Sequence, residues 1–249
     1  MPKTKLPPLI DSPFHDAPDS SAFDVKLSEM ANKKPTTVAK KKAIFKRAQQ
    51  NLSKSKLFEN TRVVVDAYLN ILMRKDMRKR LKKFEVLSNY EKVAFAQDIV
   101  DEMFKLLIDP IGKEFPGLLV ESSDETWWMA FMPRKSNEKS SIWINFASEE
   151  MRESCVFFTS LLHEFIHAKD WYVPYLGALG TQIAHISFRN PVSPTDDSYA
   201  YYSNPVEINA GLPRGWIYQA IRKIKDGETQ IDARHMTMDF MVGERWLRD

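Results

Sequence analysis

Apolar positions recur at helical spacing in several long stretches and at strand spacing in a few short ones. Over residues 60–83, Val64, Val65, Tyr68, Leu69, Ile71 and Leu72 mark one face of a helix. Its second half turns basic at Arg74, Lys75, Arg78, Lys79, Arg80, Lys82 and Lys83. A basic helix is predicted before it, over 38–57, with Lys40, Lys41, Lys42, Lys46 and Arg47 in its first half. Ser88-Asn89-Tyr90-Glu91 is a capping box, and the helix it opens carries Val93, Ala96, Ile99, Val100, Met103, Phe104 and Leu107 on its inner face until Asp109-Pro110. Three strand candidates follow: Leu118–Val120, Thr126–Met132 and Ser141–Phe146, the latter two joined as a hairpin by the polar turn Pro133–Ser140. Next, Ser148 with Glu149 and Glu150 reads as the start of another helix. Its wide apolar stripe (Met151, Val156, Phe157, Leu161, Leu162, Phe165, Ile166) runs to about Tyr172, before Pro174.

Beyond Tyr172 the pattern lapses into a long irregular stretch reaching Asn204, a length that in a compact domain is usually functional. Asn204-Pro205 then suits a helix start. Trp216, Ile217, Ala220, Ile221 and Ile224 continue a helix that Gly227 breaks, and Ile231–Trp246 reads as a final packed helix. The fold class implied is α+β and mainly helical, with a small antiparallel sheet preceding the Tyr172-terminated helix.

Charge divides the chain unevenly. Residues 1–87 hold 20 Lys and Arg against 9 Asp and Glu, whereas the remainder holds 16 against 24. The expected organisation is therefore an extended arm at 1–37, rich in Pro, Ser, Asp and Lys, a basic helical region at 38–87 and a main domain at 88–249. Cation clusters within 38–83 can contact phosphate backbones, so nucleic acid is one candidate partner; a solvated helix end is the plainer reading. The single Cys155 excludes an intrachain disulfide and a cysteine-rich metal site. No run approaches the about 20 apolar residues of a membrane span, and the first residues lack the apolar core of a signal peptide. These features lead to the expectation of a cytoplasmic protein without membrane contact, or a virion-associated one.

The chemistry concentrates in the Tyr172-terminated helix. Ser160-Leu161-Leu162-His163-Glu164-Phe165-Ile166-His167 contains His-Glu-x-x-His within an apolar run. His163 and His167 lie one turn apart on the same face, where two imidazoles can bind one zinc ion, and Glu164 stands beside them. Ionisable groups in so apolar a helix need a reason to be there. The alternative is a pair of core histidines hydrogen-bonded to backbone.

A catalytic zinc takes three protein ligands and keeps a position open for water. Residue 173 is Val, so an extended His-x-x-Gly-x-x-His pattern is absent, and Gln182–Ser187 holds no acid. Two candidates remain. Asp170 follows His167 by three residues on nearly the same face. Glu207, in Tyr201-Tyr202-Ser203-Asn204-Pro205-Val206-Glu207-Ile208-Asn209-Ala210, would project from a helix start and is preferred, although Asn204-x-x-Glu207 also has capping-box spacing.

These residues carry a resemblance. His163-Glu164-Phe165-Ile166-His167 followed about forty residues later by Tyr-x-x-Asn-Pro-x-Glu-x-x-Ala resembles the gluzincin-type zincin metallopeptidases, and is especially similar to uncharacterised metallopeptidase-like proteins of phage and bacterial genomes. The segment around Gln97-Asp98-Ile99-Val100 is similar too, so the resemblance spans roughly residues 88–225. It implies a zinc peptidase acting on protein or peptide substrates. His163, His167 and Glu207 match the ligand positions and Glu164 the general base. In that arrangement the strand nearest the metal is an open edge, here 141–146 or 126–132, to which an extended peptide can add. Tyr201, Tyr202, His185 and His235 are the groups available to stabilise an oxyanion, Tyr201 or Tyr202 being favoured by nearness to Glu207. Asn209 or Asp170 could orient a ligand histidine. Rival readings are a catalytically silent zincin scaffold with a binding or virion role, and a peptidase recruited to DNA by residues 38–83.

Overall fold

The computed structural model describes residues 56–108, 116–126, 128–134, 138–172, 207, 210–211 and 213–233. The arm at 1–37, most of the basic helix at 38–57, the irregular stretch to Asn204 and the bulk of the final helix lie outside these residues.

The apolar face at Val64–Leu72 forms the first described helix, α1 (Lys56–Leu72). The single helix expected over 60–83 is corrected to two, because α1 stops at Leu72, Arg74 adopts an extended conformation and α2 (Lys75–Leu81) restarts the coil. No proline or glycine forces this break. Tertiary packing supplies the reason: Met77 and Leu81 become buried, while Arg74 and Arg80 reach Glu102 and Asp98, each at 2.5 Å. Two cations of the basic tail are thus paired with acids.

The capping box at Ser88 forms as its sequence predicts. The Ser88 hydroxyl accepts the Glu91 N–H at 3.3 Å, and the Glu91 carboxylate accepts the Ser88 N–H at 2.8 Å. It opens α3 (Asn89–Leu107), which buries Ala96, Ile99, Val100, Met103 and Phe104 of the face read from the three-and-four spacing, leaves Val93 and Leu107 half-buried and adds Phe95.

The sheet contains β1 (Leu118–Ser122), β2 (Met129–Met132) and β3 (Ser140–Ile144) in the order β1-β3-β2. β2 and β3 pair antiparallel, with Phe131 opposite Ile142, as expected of the hairpin. The sheet as a whole is mixed rather than antiparallel, because β1 lies parallel to β3 with Val120 opposite Ile142. β3 is therefore central, which removes 141–146 as an edge and, among the described residues, leaves β2 of the 126–132 stretch as one. Leu118, Val120, Met129, Phe131, Ile142 and Ile144 form the buried face. The outer edge of β1 is closed by the Gln97 side chain from α3: its amide donates to the Leu118 carbonyl at 2.9 Å and accepts the Val120 N–H at 2.7 Å.

The next helix, α4 (Ser154–Tyr172), begins later than the sequence suggests. Ser148 leads into one tight turn, Glu149–Arg152, and its hydroxyl bonds the Glu150 carboxylate at 2.6 Å instead of capping. The cap belongs to Glu153, whose carboxylate accepts the Cys155 and Val156 N–H groups at 2.9 Å each. Negative charge still meets the positive end of the helix, but from Glu153 rather than Glu149 and Glu150.

Nearly every α4 side chain is buried, so the helix runs through the middle of the core. Phe157 and Phe158 meet Phe84 at ring-centroid distances of 4.6 and 5.0 Å, and Phe95 lies 5.0 Å from Phe158. The Tyr68 hydroxyl donates to the Phe158 carbonyl at 2.7 Å, fastening α1 to α4. α5 (Arg214–Asp226) packs along α4 through Ile217, Ala220, Ile221 and Ile224. Gly227 ends it in the left-handed region at φ 113°, where a side chain would be strained. At the head of α4, the buried Ser154 hydroxyl donates to Glu85 at 2.8 Å, and the Lys225 ammonium bonds both Glu85 and, at 3.0 Å, the Ser154 oxygen. Among the described residues no helix is long and apolar enough to cross a membrane.

Candidate metal centre

Helical spacing sets the first two donors. His163 and His167 project from one face of α4, ring centroids 4.5 Å apart and planes nearly perpendicular, with the two Nε2 atoms 3.0 Å from each other. The third group arrives from 44 residues downstream. Glu207, itself in helical conformation, sets Oε2 at 3.2 Å from His163 Nε2 and Oε1 at 3.4 Å from His167 Nε2. Its carboxylate faces both rings, and one ligand atom from each of the three residues lies within 4.8 Å of the others.

The spacing fits a small cation. Donor atoms at the 2.0–2.1 Å bond lengths of tetrahedral zinc stand roughly 3.3 Å from one another; here the two Nε2 atoms are 3.0 Å apart and each has a different Glu207 oxygen near it, Oε2 at 3.2 Å from His163 and Oε1 at 3.4 Å from His167. Electrostatics point the same way. Burial opposes ionisation of Glu207, yet the facing His167 and His163 hold its carboxyl well below the usual range. Burial alone would lower the basicity of His167, but the Glu207 carboxylate, helped by Glu164 and Asp170, lifts it to about 9. A proton on His167 and a metal ion among the three donors are alternative ways to balance the same negative charge. His163 is 13% exposed at its side chain, so one side of the cluster is open to solvent.

Glu164 sits beside the cluster and is buried. Its Oε2 accepts the backbone N–H of Phe131 at 2.8 Å, which ties it to the edge strand β2. Burial raises its pKa above the ordinary carboxylate value, against the opposing pull of His163 and His167. That suits a group that must take up and release a proton. The sequence offered no signal for the Phe131 contact, because it depends on how β2 lies against α4.

Asp170 is buried and pairs with the Lys169 ammonium at 3.1 Å. It contributes to the field at His167 but does not join the three converging ligand atoms. The expectation that a histidine hydrogen-bonds to backbone finds no counterpart at His163, whose Nδ1 has no hydrogen-bond partner among the described residues. Tyr201, Tyr202, His185, His235 and Asn209 lie outside the described residues. Cys155, two turns before His163, is a buried thiol that burial pushes up to about 11.

Compared with models of protein families, with curated proteins and with solved structures, the chain matches none. The site must be argued from its own geometry.

Proposed function

We propose that the chain is a zinc-dependent peptidase of the zincin kind, with zinc held by His163, His167 and Glu207. One observation carries the reading: Glu207 converges on two imidazoles a turn apart while Glu164, on the same helix, lies beside them and is held by the Phe131 N–H of β2. A bound zinc ion supplies Lewis acidity, which lowers the pKa of an attacking water toward about 7 and polarises a scissile carbonyl. Glu164 takes the water proton and hands it to the leaving amine. The Phe131 N–H holds Oε2, which leaves Oε1 for that proton. β2 is an edge strand in the described sheet, so an extended peptide can add along it by backbone hydrogen bonds. Donation to the developing oxyanion is assigned to Tyr201 or Tyr202.

Zinc content and turnover test this together. Purified protein is expected to hold about one zinc per chain. Glu207→Ala should weaken zinc binding by more than about 100-fold, above the range seen when a supporting residue is removed; Asp170→Ala should keep the metal. Full zinc binding in Glu207→Ala would sink the ligand assignment. Zinc-loaded protein that cleaves no member of a broad peptide library would favour the silent-scaffold reading, which the buried and oriented Glu164 otherwise disfavours.

A further inference from the structure

Arg214 is the first residue of α5, half-buried, where the helix dipoles oppose a cation. Among the described residues no carboxylate lies within ion-pair distance of it. Its guanidinium instead sits 6.0 Å from the ring centroid of Trp128. Trp128 immediately precedes β2 and is 39% exposed. Its carbonyl accepts the Asn145 N–H at 2.8 Å, so the ladder with β3 reaches back to it.

Register gives this pair a meaning. The Trp128 carbonyl faces β3, whereas the Phe131 N–H, three residues on, faces away from β3 toward Glu164. Side chains opposite one another on adjacent strands share a face. A peptide added along the outer edge of β2 would therefore place one side chain beside Trp128, about 10 Å along the strand from the Glu164 contact.

We infer that Arg214, seated on Trp128, selects substrates carrying a carboxylate roughly three residues from the bond that Glu164 serves. The carboxylate is an Asp or Glu side chain or the peptide's own C-terminal group, either of which the planar guanidinium can bind with two parallel hydrogen bonds. Arg214 is a specificity residue in this scheme. The inference rests on the peptidase reading, and binding can be separated from turnover.

The test uses the zinc-loaded full chain and peptides blocked at both ends that differ at one scanned position: Glu, Gln or Lys. A further peptide carries Gln and a free C-terminal carboxylate. In the wild type, kcat/KM for Glu over Gln should reach about 10- to 100-fold at one position. In Arg214→Gln that ratio should fall to near one, and in Arg214→Glu it should invert toward Lys. A preference for the free C-terminus over blocked Glu would identify the terminal carboxylate as the source. A Glu-to-Gln ratio that survives in Arg214→Gln, or that is near one at every position in a wild type that cleaves, overturns the inference. The same peptides are measured for binding by fluorescence anisotropy on zinc-loaded Glu164→Gln, alone and combined with Arg214→Gln. Charge-selective binding that needs Arg214, without wild-type cleavage, would leave the inference standing and sink the peptidase reading. Circular dichroism and thermal melting check that each variant is folded.

Discussion

The two edges of the three-stranded sheet are met by chemically similar side chains with opposite consequences. On β1, the neutral Gln97 amide both donates and accepts, to Leu118 and Val120, as a fourth strand would. On β2, the carboxylate of Glu164 accepts one N–H, from Phe131, and can give nothing back unless protonated. One edge is sealed by a group that satisfies the backbone. The other is touched by a buried carboxyl whose ionisation burial disfavours. An exposed strand edge invites pairing, so in the proposed peptidase the β2 edge, unpaired among the described residues and beside the three converging donors, is where an incoming chain would add.

Exchanging the two side-chain types would sharpen that contrast. Glu164→Gln should have the largest effect, lowering peptidase kcat by about 10²- to 10⁴-fold while zinc content and melting temperature hold or rise. Retained turnover in this variant would remove Glu164 as the proton carrier. The mirror change, Gln97→Glu, loses the donor to Leu118 and sets a carboxylate against a carbonyl. Denaturant titration should show a loss of about 1–3 kcal/mol, with kcat/KM of the folded fraction little changed. If activity fell as far as in Glu164→Gln, the two edges would not be functionally distinct. The smallest effect is expected at Cys155. Burial holds its thiol near 11, so the folded protein at pH 8 should resist iodoacetamide and react only after unfolding. Rapid labelling of the native protein would show that the α4 core opens far more readily than its packing implies.

Local signals were legible in the sequence. The Ser88 capping box, the antiparallel pairing of β2 with β3 and the apolar wrap of α4 each rest on neighbours within a few residues; the box formed as read, while the strands are shorter than read, Met129–Met132 and Ser140–Ile144, and α4 starts later. His163 and His167 were set by helix geometry alone. Glu207 was legible only as a candidate, since spacing along the chain could not show that its carboxylate would meet both rings. What sequence missed depends on contacts between distant segments. The parallel pairing of β1, the break after Leu72 and the Phe131–Glu164 bond have no local signature. The displaced start of α4 is a different failure: Ser148 suits a cap by residue type, and only the backbone path gives that place to the Glu153 carboxylate instead.

The tie at the head of α4 has a consequence for synthesis. Glu85 and Lys225 are separated by 140 residues, and Glu207 lies 44 beyond His163. A chain emerging from the ribosome therefore displays both histidines well before their carboxylate partner, and earlier still than the lysine that anchors the helix carrying them. Contacts so far apart in sequence form slowly. If the site holds zinc as proposed, tight capture waits until residue 207 has been made, and a nascent fragment ending short of it would hold the ion only loosely.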